Sequence, residues 1–161
     1  MERKEFASKV EVTQEALRRF LCGLCCGDSA LADDIAQEAY MKAYLSCDGL
    51  RDDDKFLSWL YRIAYNAFVC HKRTTRRDLP VDEARGVDSG TRADDSFRYQ
   101  ALYDALDRLS EKERTAVLLY YMEGYAVKEI AAILDSGEDA VKQQLSRGRQ
   151  HLKACLTLNK L

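Results

Sequence analysis

One interruption in an otherwise helical pattern constrains this chain more than any other feature. From Asp78 to Ser96 the segment DLPVDEARGVDSGTRADDS has no apolar repeat and holds the only proline of the 161 residues. Its six acids and two arginines give a net charge of minus four, which favours an extended segment that nucleic acid would repel. The pattern therefore predicts two separately folded modules, at 1–78 and 97–161, joined by a flexible acidic linker at 79–96.

Apolar residues on both sides of this linker recur at helical spacing. In the first module they predict helices over about 1–27, 29–45 and 56–77. In the second module a helix ending near Leu109 precedes a capping box from Ser110 to Glu113, and Gly124 ends the helix that follows. The sequence thus predicts an all-α protein of two small helical domains, the carboxy-terminal one with about four helices.

The segment from Gly124 to Leu156 has the pattern of two helices joined by a tight polar turn at Asp135-Ser136-Gly137-Glu138. In the second of these helices one face is apolar, and Gly148 on that face favours close packing. The opposite face carries side chains that can bind base edges or phosphates: Lys142, Gln143, Gln144, Ser146, Arg147, Arg149, Gln150 and Lys153. The pattern is typical of a helix-turn-helix that binds the major groove, although a hairpin with a merely solvated face remains an alternative.

Charge is distributed unevenly along the chain. From Asp139 to Leu161 there are five basic residues and one acid, whereas the whole chain has a net charge of minus two. Concentrated basicity is expected where phosphate contacts supply affinity. The stretch from Asp28 to Asp54 instead has eight acids and two basic residues, so it cannot be a general phosphate binder. Its acidic face is either solvated or docks on a basic protein surface, and the residues leave both interpretations open.

A second basic cluster ends the third predicted helix. The segment HKRTTRR brings Lys72, Arg73, Arg76 and Arg77 together. Tyr61, Tyr65 and Asn66 lie one to three turns earlier and could stack on or hydrogen-bond to bases. A solvated helix terminus favoured by the helix dipole explains the cluster equally well.

Six cysteines, three of them in Cys22-Gly-Leu-Cys25-Cys26, raise the question of a metal or redox site. These three lie in an apolar helical run, where free cysteine packs as a small hydrophobe, so we expect packing rather than metal binding. The amino terminus lacks the apolar core of a signal peptide and no apolar run approaches 18 residues, so we expect a cytoplasmic protein with reduced thiols and no membrane insertion.

Two distant stretches together resemble one family. ALADDIAQEAYMKAY, followed by FLSWLYRIAYN and a basic tail, resembles the promoter-melting domain of bacterial sigma factors of the extracytoplasmic-function (ECF) group. LDRLSEKERTAVLLYYMEGYAVKEIAAIL, followed by VKQQLSRGRQHL, is similar to their carboxy-terminal helix-turn-helix domain. The two motifs in this order, with a linker between them, are a far more specific signal of this family than either motif alone.

The resemblance implies a dissociable specificity subunit of RNA polymerase, with no catalytic residues, metal or cofactor. It implies that core RNA polymerase binds Asp33, Asp34, Gln37 and Glu38. It implies minus 10 promoter contacts by Arg51, Arg62, Tyr65, Asn66, Lys72, Arg73, Arg76 and Arg77. It implies minus 35 contacts by Lys142, Gln143, Gln144, Ser146, Arg147 and Arg149. An anti-sigma factor is a further partner that the family often has, although the sequence itself does not show one.

Several positions depart from the family pattern. Where this chain has Cys70, Asp135 and Ser136, the family commonly has Asp, Gly and an apolar residue. Where this chain has Ala140, Gln144 and Ala126, the family often has Thr, Arg and Ser. The chain therefore lacks two hydroxyls and one cation that could contact phosphate. We therefore expect weaker minus 35 affinity and an unusual sequence preference.

Three other functions are alternatives to this one. A helix-turn-helix regulator that acts without polymerase would share the second module, and a redox or zinc sensor would use Cys22, Cys25, Cys26 and Cys70. An enzyme is the least favoured, because His71 and His151 are the only histidines and no nucleophile-base set can be assembled.

Overall fold

The computed structural model describes residues 2–78 and 93–158, and within them the side chains of 2–75 and 99–157. The first module consists of three helices: α1 (Arg3–Leu24), α2 (Ser29–Ser46) and α3 (Phe56–Asp78). α2 packs against both α1 and α3, with short 3₁₀ turns at Cys47–Gly49 and Asp53–Lys55 between α2 and α3. The three predicted helices are therefore confirmed, with ends that shift by a few residues.

The second module consists of four helices, as predicted: α4 (Ala93–Asp107), α5 (Glu111–Val117), α6 (Val127–Leu134) and α7 (Glu138–Leu158). A π turn over Leu118–Met122 continues α5. α4 begins at Ala93, so the last four residues of the range predicted as linker are helical. The remaining linker residues, 79–92, lie outside the described residues.

Local sequence signals set the ends of several helices. The Asp28 carboxylate accepts a hydrogen bond from the Leu31 amide and caps α2, and Ser110 with Glu113 forms the predicted capping box of α5. Gly124 has a φ of +76° where the chain leaves the π turn. Asp135 ends α6 in the left-handed conformation, with a φ of 52°, which Asp tolerates better than most residues. The predicted sharp turn between α6 and α7 is thereby confirmed.

The two modules pack directly against each other. Buried residues of both belong to one hydrophobic cluster, which includes Leu24 and Phe68 from the first module and Leu118 and Ile130 from the second. α6 packs on α3, and the π turn packs on α1. The sequence predicts two separately folded bodies, whereas the described residues share one core, because each module buries apolar residues against the other.

Candidate nucleic-acid interface

α7 presents its predicted contact residues to solvent. Its apolar face, with Val141 and Leu145 buried, packs against α5 and α6. Lys142, Gln143, Ser146, Arg147 and Arg149 are exposed, and Gln144 is half-buried. A helix with a packed side and an exposed side of Gln, Ser, Lys and Arg has the arrangement needed to enter a major groove.

A close contact seats α7 on α5. A Cβ at Gly148 would lie 2.7 Å from Val117 Cγ2 and 3.5 Å from Leu109 Cδ2, so glycine allows the two helices to approach. The predicted role of this glycine in close packing is confirmed. On the exposed side, Arg149 donates a hydrogen bond of 3.1 Å to the hydroxyl of Tyr121 in the π turn. Among the described residues, Arg149 is thus the member of the predicted α7 contact set whose side chain is held in place by a hydrogen bond to another residue.

α3 divides the other predicted contact residues between two sides. Arg62, Asn66 and Arg73 are exposed, and their spacing of four and seven residues places them on one face of the helix. Arg51 is exposed just before the 3₁₀ turn that precedes α3. Arg76 and Arg77 lie in the last turn of α3, but their side chains lie outside the described residues.

Tyr65 and Lys72 are less accessible than the other described members of this set. Tyr65 is 8% exposed, and its burial, with the nearby Glu111 carboxylate as a lesser cause, raises the pKa of its hydroxyl. The ammonium of Lys72 lies 5.7 Å from the centroid of the Phe68 ring, a cation–π distance. Among the described side chains of this set, Tyr65 is buried, Lys72 is half-buried, and the others are exposed.

The acidic face of α2 is open to solvent. Asp33, Asp34 and Gln37 are exposed, and Glu38 is half-buried. Asp33 lies 3.5 Å from Arg18, and Glu38 lies 2.9 Å from Lys42 one turn along the same helix. Among the described residues, none forms an ion pair or hydrogen bond with the side chain of Asp34 or Gln37. An exposed acidic face of this kind can dock on a basic protein surface.

Two charged residues at the joint between the modules were missed by sequence reasoning. The buried guanidinium of Arg114 donates to the backbone carbonyls of Leu24 at 2.7 Å, Leu106 at 2.8 Å and Leu109 at 3.2 Å. It therefore satisfies the Leu24 carbonyl at the end of α1 and adds a donor to two carbonyls at and just beyond the end of α4. Glu123, just after the π turn, accepts hydrogen bonds from Arg19 of α1 and Tyr61 of α3. Glu123 is a charged residue within an apolar run, which was its only sequence signal, and Arg114 follows the charged residues of the capping box and had none.

Five of the six cysteines are at least half-buried, and Cys70 is exposed. Cys25 and Cys47 are buried, and Cys22, Cys26 and Cys155 are half-buried. Burial raises the pKa of Cys25 to about 12 and that of Cys26 to about 11, which disfavours the reactive thiolate. Across residues 2–78 and 93–158 no group of three or more His, Cys, Asp or Glu side chains is placed to hold a metal ion.

Within the described part of the chain, none of the helices combines the length and apolar character that crossing a membrane requires.

The fold and its charged surfaces define a class of protein. A helix-turn-helix module with an exposed basic helix defines a DNA-binding protein, and the acidic face of the other module gives it a second surface of opposite charge.

Comparison with known proteins identifies the family. Residues 10–78 match the family model of sigma-70 region 2, and residues 99–152 match that of sigma-70 region 4. The chain is 30% identical to the ECF RNA polymerase sigma factor SigW of Bacillus subtilis over 163 residues, with 92% of this chain and 87% of SigW covered. It is 31% identical to the ECF RNA polymerase sigma-E factor of Escherichia coli K12 over 133 residues, covering 73% of this chain and 69% of that protein.

Solved structures share the fold. The sigma factor RpoE of Bartonella quintana, in complex with the anti-sigma factor NepR, superposes with a TM-score of 0.79 at 26% identity, covering 96% of this chain and 98% of RpoE. CnrH, in complex with the cytosolic domain of CnrY, superposes with a TM-score of 0.73 at 23% identity, covering 98% and 90% of the two chains. The chain belongs to the ECF RNA polymerase sigma factors, with sigma-70 regions 2 and 4. It directs promoter-specific transcription initiation by RNA polymerase and is not an enzyme in its own right.

Proposed function

We propose that three charged surfaces of this sigma factor each bind a different target. The exposed face of α2 (Asp33, Asp34, Gln37, Glu38) binds core RNA polymerase. The exposed face of α7 reads the minus 35 element as duplex, and α3 with Arg51 contacts the minus 10 element. The observation that carries this assignment is the separation of charge: the acidic face and the basic helix are both exposed, on different modules. The proposed domains are 1–78 and 97–161, joined by residues 79–92 and the first turn of α4.

The chemistry of each surface supports its assigned ligand. Exposed Gln and Arg side chains on one helix face can make bidentate contacts to adenine and guanine edges. On α3, Asn66 can hydrogen-bond to an unstacked base, while Arg62 and Arg73 on the same face can contact the phosphates of its strand. Extruding a base costs a few kcal/mol, so such contacts are needed to offset it.

We also propose a cytoplasmic location, where polymerase and promoters are found, and regulation by an anti-sigma factor. RpoE of Bartonella quintana superposes along nearly its whole length while bound to an anti-sigma factor. Because that superposition covers both modules, the module arrangement described here is compatible with a bound inhibitor of the same kind.

In vitro transcription tests the assignment. The chain is added to core polymerase on a library of promoter fragments, and the initiated transcripts are sequenced. We expect initiation from a restricted promoter set, with preferences at both elements. A helix-turn-helix regulator that acts without polymerase would give no initiation.

The α2 surface is tested by reversing its charge. Asp34→Lys combined with Glu38→Lys should abolish co-purification with core polymerase, because Asp34 is exposed without a side-chain partner among the described residues and the Glu38 side chain next to it is 46% exposed. Helical content should stay unchanged in circular dichroism. Glu11→Lys, at an exposed position of α1, is the matched control and should co-purify normally. Retained binding of the double variant would contradict the docking role.

A further inference from the structure

A tyrosine of the π turn holds the guanidinium of Arg149 at one edge of α7. Nη1 of Arg149 donates a hydrogen bond of 3.1 Å to the hydroxyl of Tyr121. Leu145, four positions before Arg149 and therefore on the same side of the helix, is buried. Arg149 itself is exposed. It thus stands where the packed face of α7 meets the exposed face.

Two lysines extend this edge of α7. Lys142 precedes Arg149 by seven positions and Lys153 follows it by four, so the three exposed cations share one side of the helix. Gln143 lies farther round the helix from the packed face. A helix in the major groove places its middle over the base edges and its sides beside the two sugar-phosphate backbones. The edge that carries Arg149 is therefore suited to phosphates rather than to base edges.

The Tyr121 hydroxyl can make a further hydrogen bond. A tyrosine hydroxyl is a donor as well as an acceptor, and here its oxygen accepts from Arg149. Among the described residues, none accepts a hydrogen bond from this hydroxyl. Tyr121 is 55% exposed, and the Arg149 guanidinium keeps further N–H donors. Donors from two separate elements can therefore converge on one anion.

The segment that carries Tyr121 is held in place. Leu118 and Leu119 are buried, and the Glu123 amide donates a hydrogen bond of 3.1 Å to the Leu118 carbonyl, which closes the π turn. The ring of Tyr120 packs edge-on against that of Tyr121, with centroids 4.9 Å apart. A group held in its binding position loses less conformational freedom when its ligand arrives. The Tyr121 hydroxyl is thus preorganised, and it orients the longer Arg149 side chain.

We propose that Tyr121 and Arg149 form a single phosphate site for the backbone of the minus 35 duplex. The Tyr121 hydroxyl accepts from Arg149 and donates to a phosphate oxygen, while the guanidinium donates to the same phosphate. Hydrogen bonds to an ionised acceptor are stronger than those between neutral groups. This inference rests on the proposed assignment of α7 to the minus 35 element and adds a residue outside α7 to it. Because phosphates carry no sequence information, the site contributes affinity and register rather than sequence preference.

Three variants of the full chain test the site. Tyr121→Phe removes the hydroxyl and keeps the ring, and Arg149→Ala removes the cation. Tyr120→Phe is the matched control, because Tyr120 is an adjacent exposed tyrosine whose hydroxyl makes no hydrogen bond among the described residues. Since all three positions are exposed, every variant should unfold at the same temperature as the wild type.

Promoter-complex formation is measured for each protein with core polymerase and a promoter found by transcript sequencing. The promoter is used unmodified, and then with a neutral methylphosphonate in place of one phosphate at each position across and beside the minus 35 element. On unmodified DNA, Tyr121→Phe and Arg149→Ala should each bind roughly tenfold more weakly than the wild type, and Tyr120→Phe should bind equally well.

The methylphosphonate series identifies the phosphate. The wild type and Tyr120→Phe should lose roughly tenfold in affinity at the position that contacts the site. At that position Tyr121→Phe and Arg149→Ala should lose less than about threefold, because the interaction with that phosphate is already weakened or gone. A residue that served only to stabilise the fold would leave the response to methylphosphonate unchanged.

The outcomes separate the phosphate site from the assignment on which it rests. Tyr121→Phe that binds as tightly as the wild type would overturn the role of the hydroxyl. Weaker binding by Tyr121→Phe with the full wild-type response at every methylphosphonate position would overturn it as well. A wild type that initiates with polymerase but responds to no methylphosphonate at the minus 35 element would instead refute the assignment of α7 to that element.

Discussion

The two helices assigned to promoter DNA differ in how the fold presents them. α7 packs with its apolar face inward and leaves Gln143 and Arg147 exposed. α3 is packed on two sides, by α2 and by α6, so that Arg62 is exposed and Tyr65 is buried. A duplex could reach α7 in the arrangement described, whereas a single strand could reach only part of α3. Whether DNA can reach a binding surface therefore depends on how the modules pack, and not on the helix that carries that surface.

The largest expected effect is a loss of stability at the joint between the two modules. Arg114→Ala should lower the free energy of unfolding by about 3 to 5 kcal/mol, because it removes a buried guanidinium that donates to the carbonyls of Leu24, Leu106 and Leu109. Chemical denaturation of the full chain measures the change. Lys112→Ala, two positions away and exposed, should change stability by less than about 0.5 kcal/mol. A loss below about 1 kcal/mol for Arg114→Ala would show that the joint between the modules contributes little.

The exposed side is tested by the glutamines of α7. Gln143→Ala should change the preference among minus 35 sequences by about 1 to 3 kcal/mol, since that is the contribution of one good bidentate base contact. Gln144→Ala should have a smaller effect, because Gln144 is half-buried and Gln143 is exposed. Initiation across a promoter library measures both.

Gln150→Ala is the control for the α7 glutamines, because Gln150 is exposed on the same helix but lies outside the assigned contact set. Identical preferences in the Gln143→Ala variant and the wild type would contradict the reading role of this face.

The smallest expected effect concerns the seating of α7. Gly148→Ala places a Cβ 2.7 Å from the branched side chain of Val117, which overpacks the contact with α5. Alanine also favours the helix by about 1 kcal/mol over glycine, so we expect a net loss of stability of about 1 kcal/mol. Thermal or chemical denaturation measures it, with Gly49→Ala as control because a Cβ there meets nothing within 4 Å. A stabilised Gly148→Ala variant would mean that α7 can shift freely on α5.

Local sequence signals were sufficient to predict the helices of both modules. Apolar residues at helical spacing placed the three helices of the first module and the four of the second, because a helix must turn its apolar face inward wherever it packs. Asp28, Ser110 and Gly124 marked helix ends, since capping depends on residues within a few positions of each other. The exposed faces of α2 and α7 followed from the same periodicity, and the family resemblance supplied their roles.

The sequence by itself determined an all-helical chain, the order of its two modules, and the faces of α2 and α7 that meet solvent. Only the tertiary structure decided that the modules share a core, that Tyr65 is covered, and that Arg114 and Glu123 hold the joint. Arg114 contacts Leu24 ninety positions away, and Arg19 contacts Glu123 at a separation of 104. No periodic pattern encodes pairs so distant, because they depend on how whole helices pack and not on the spacing of residues along one helix.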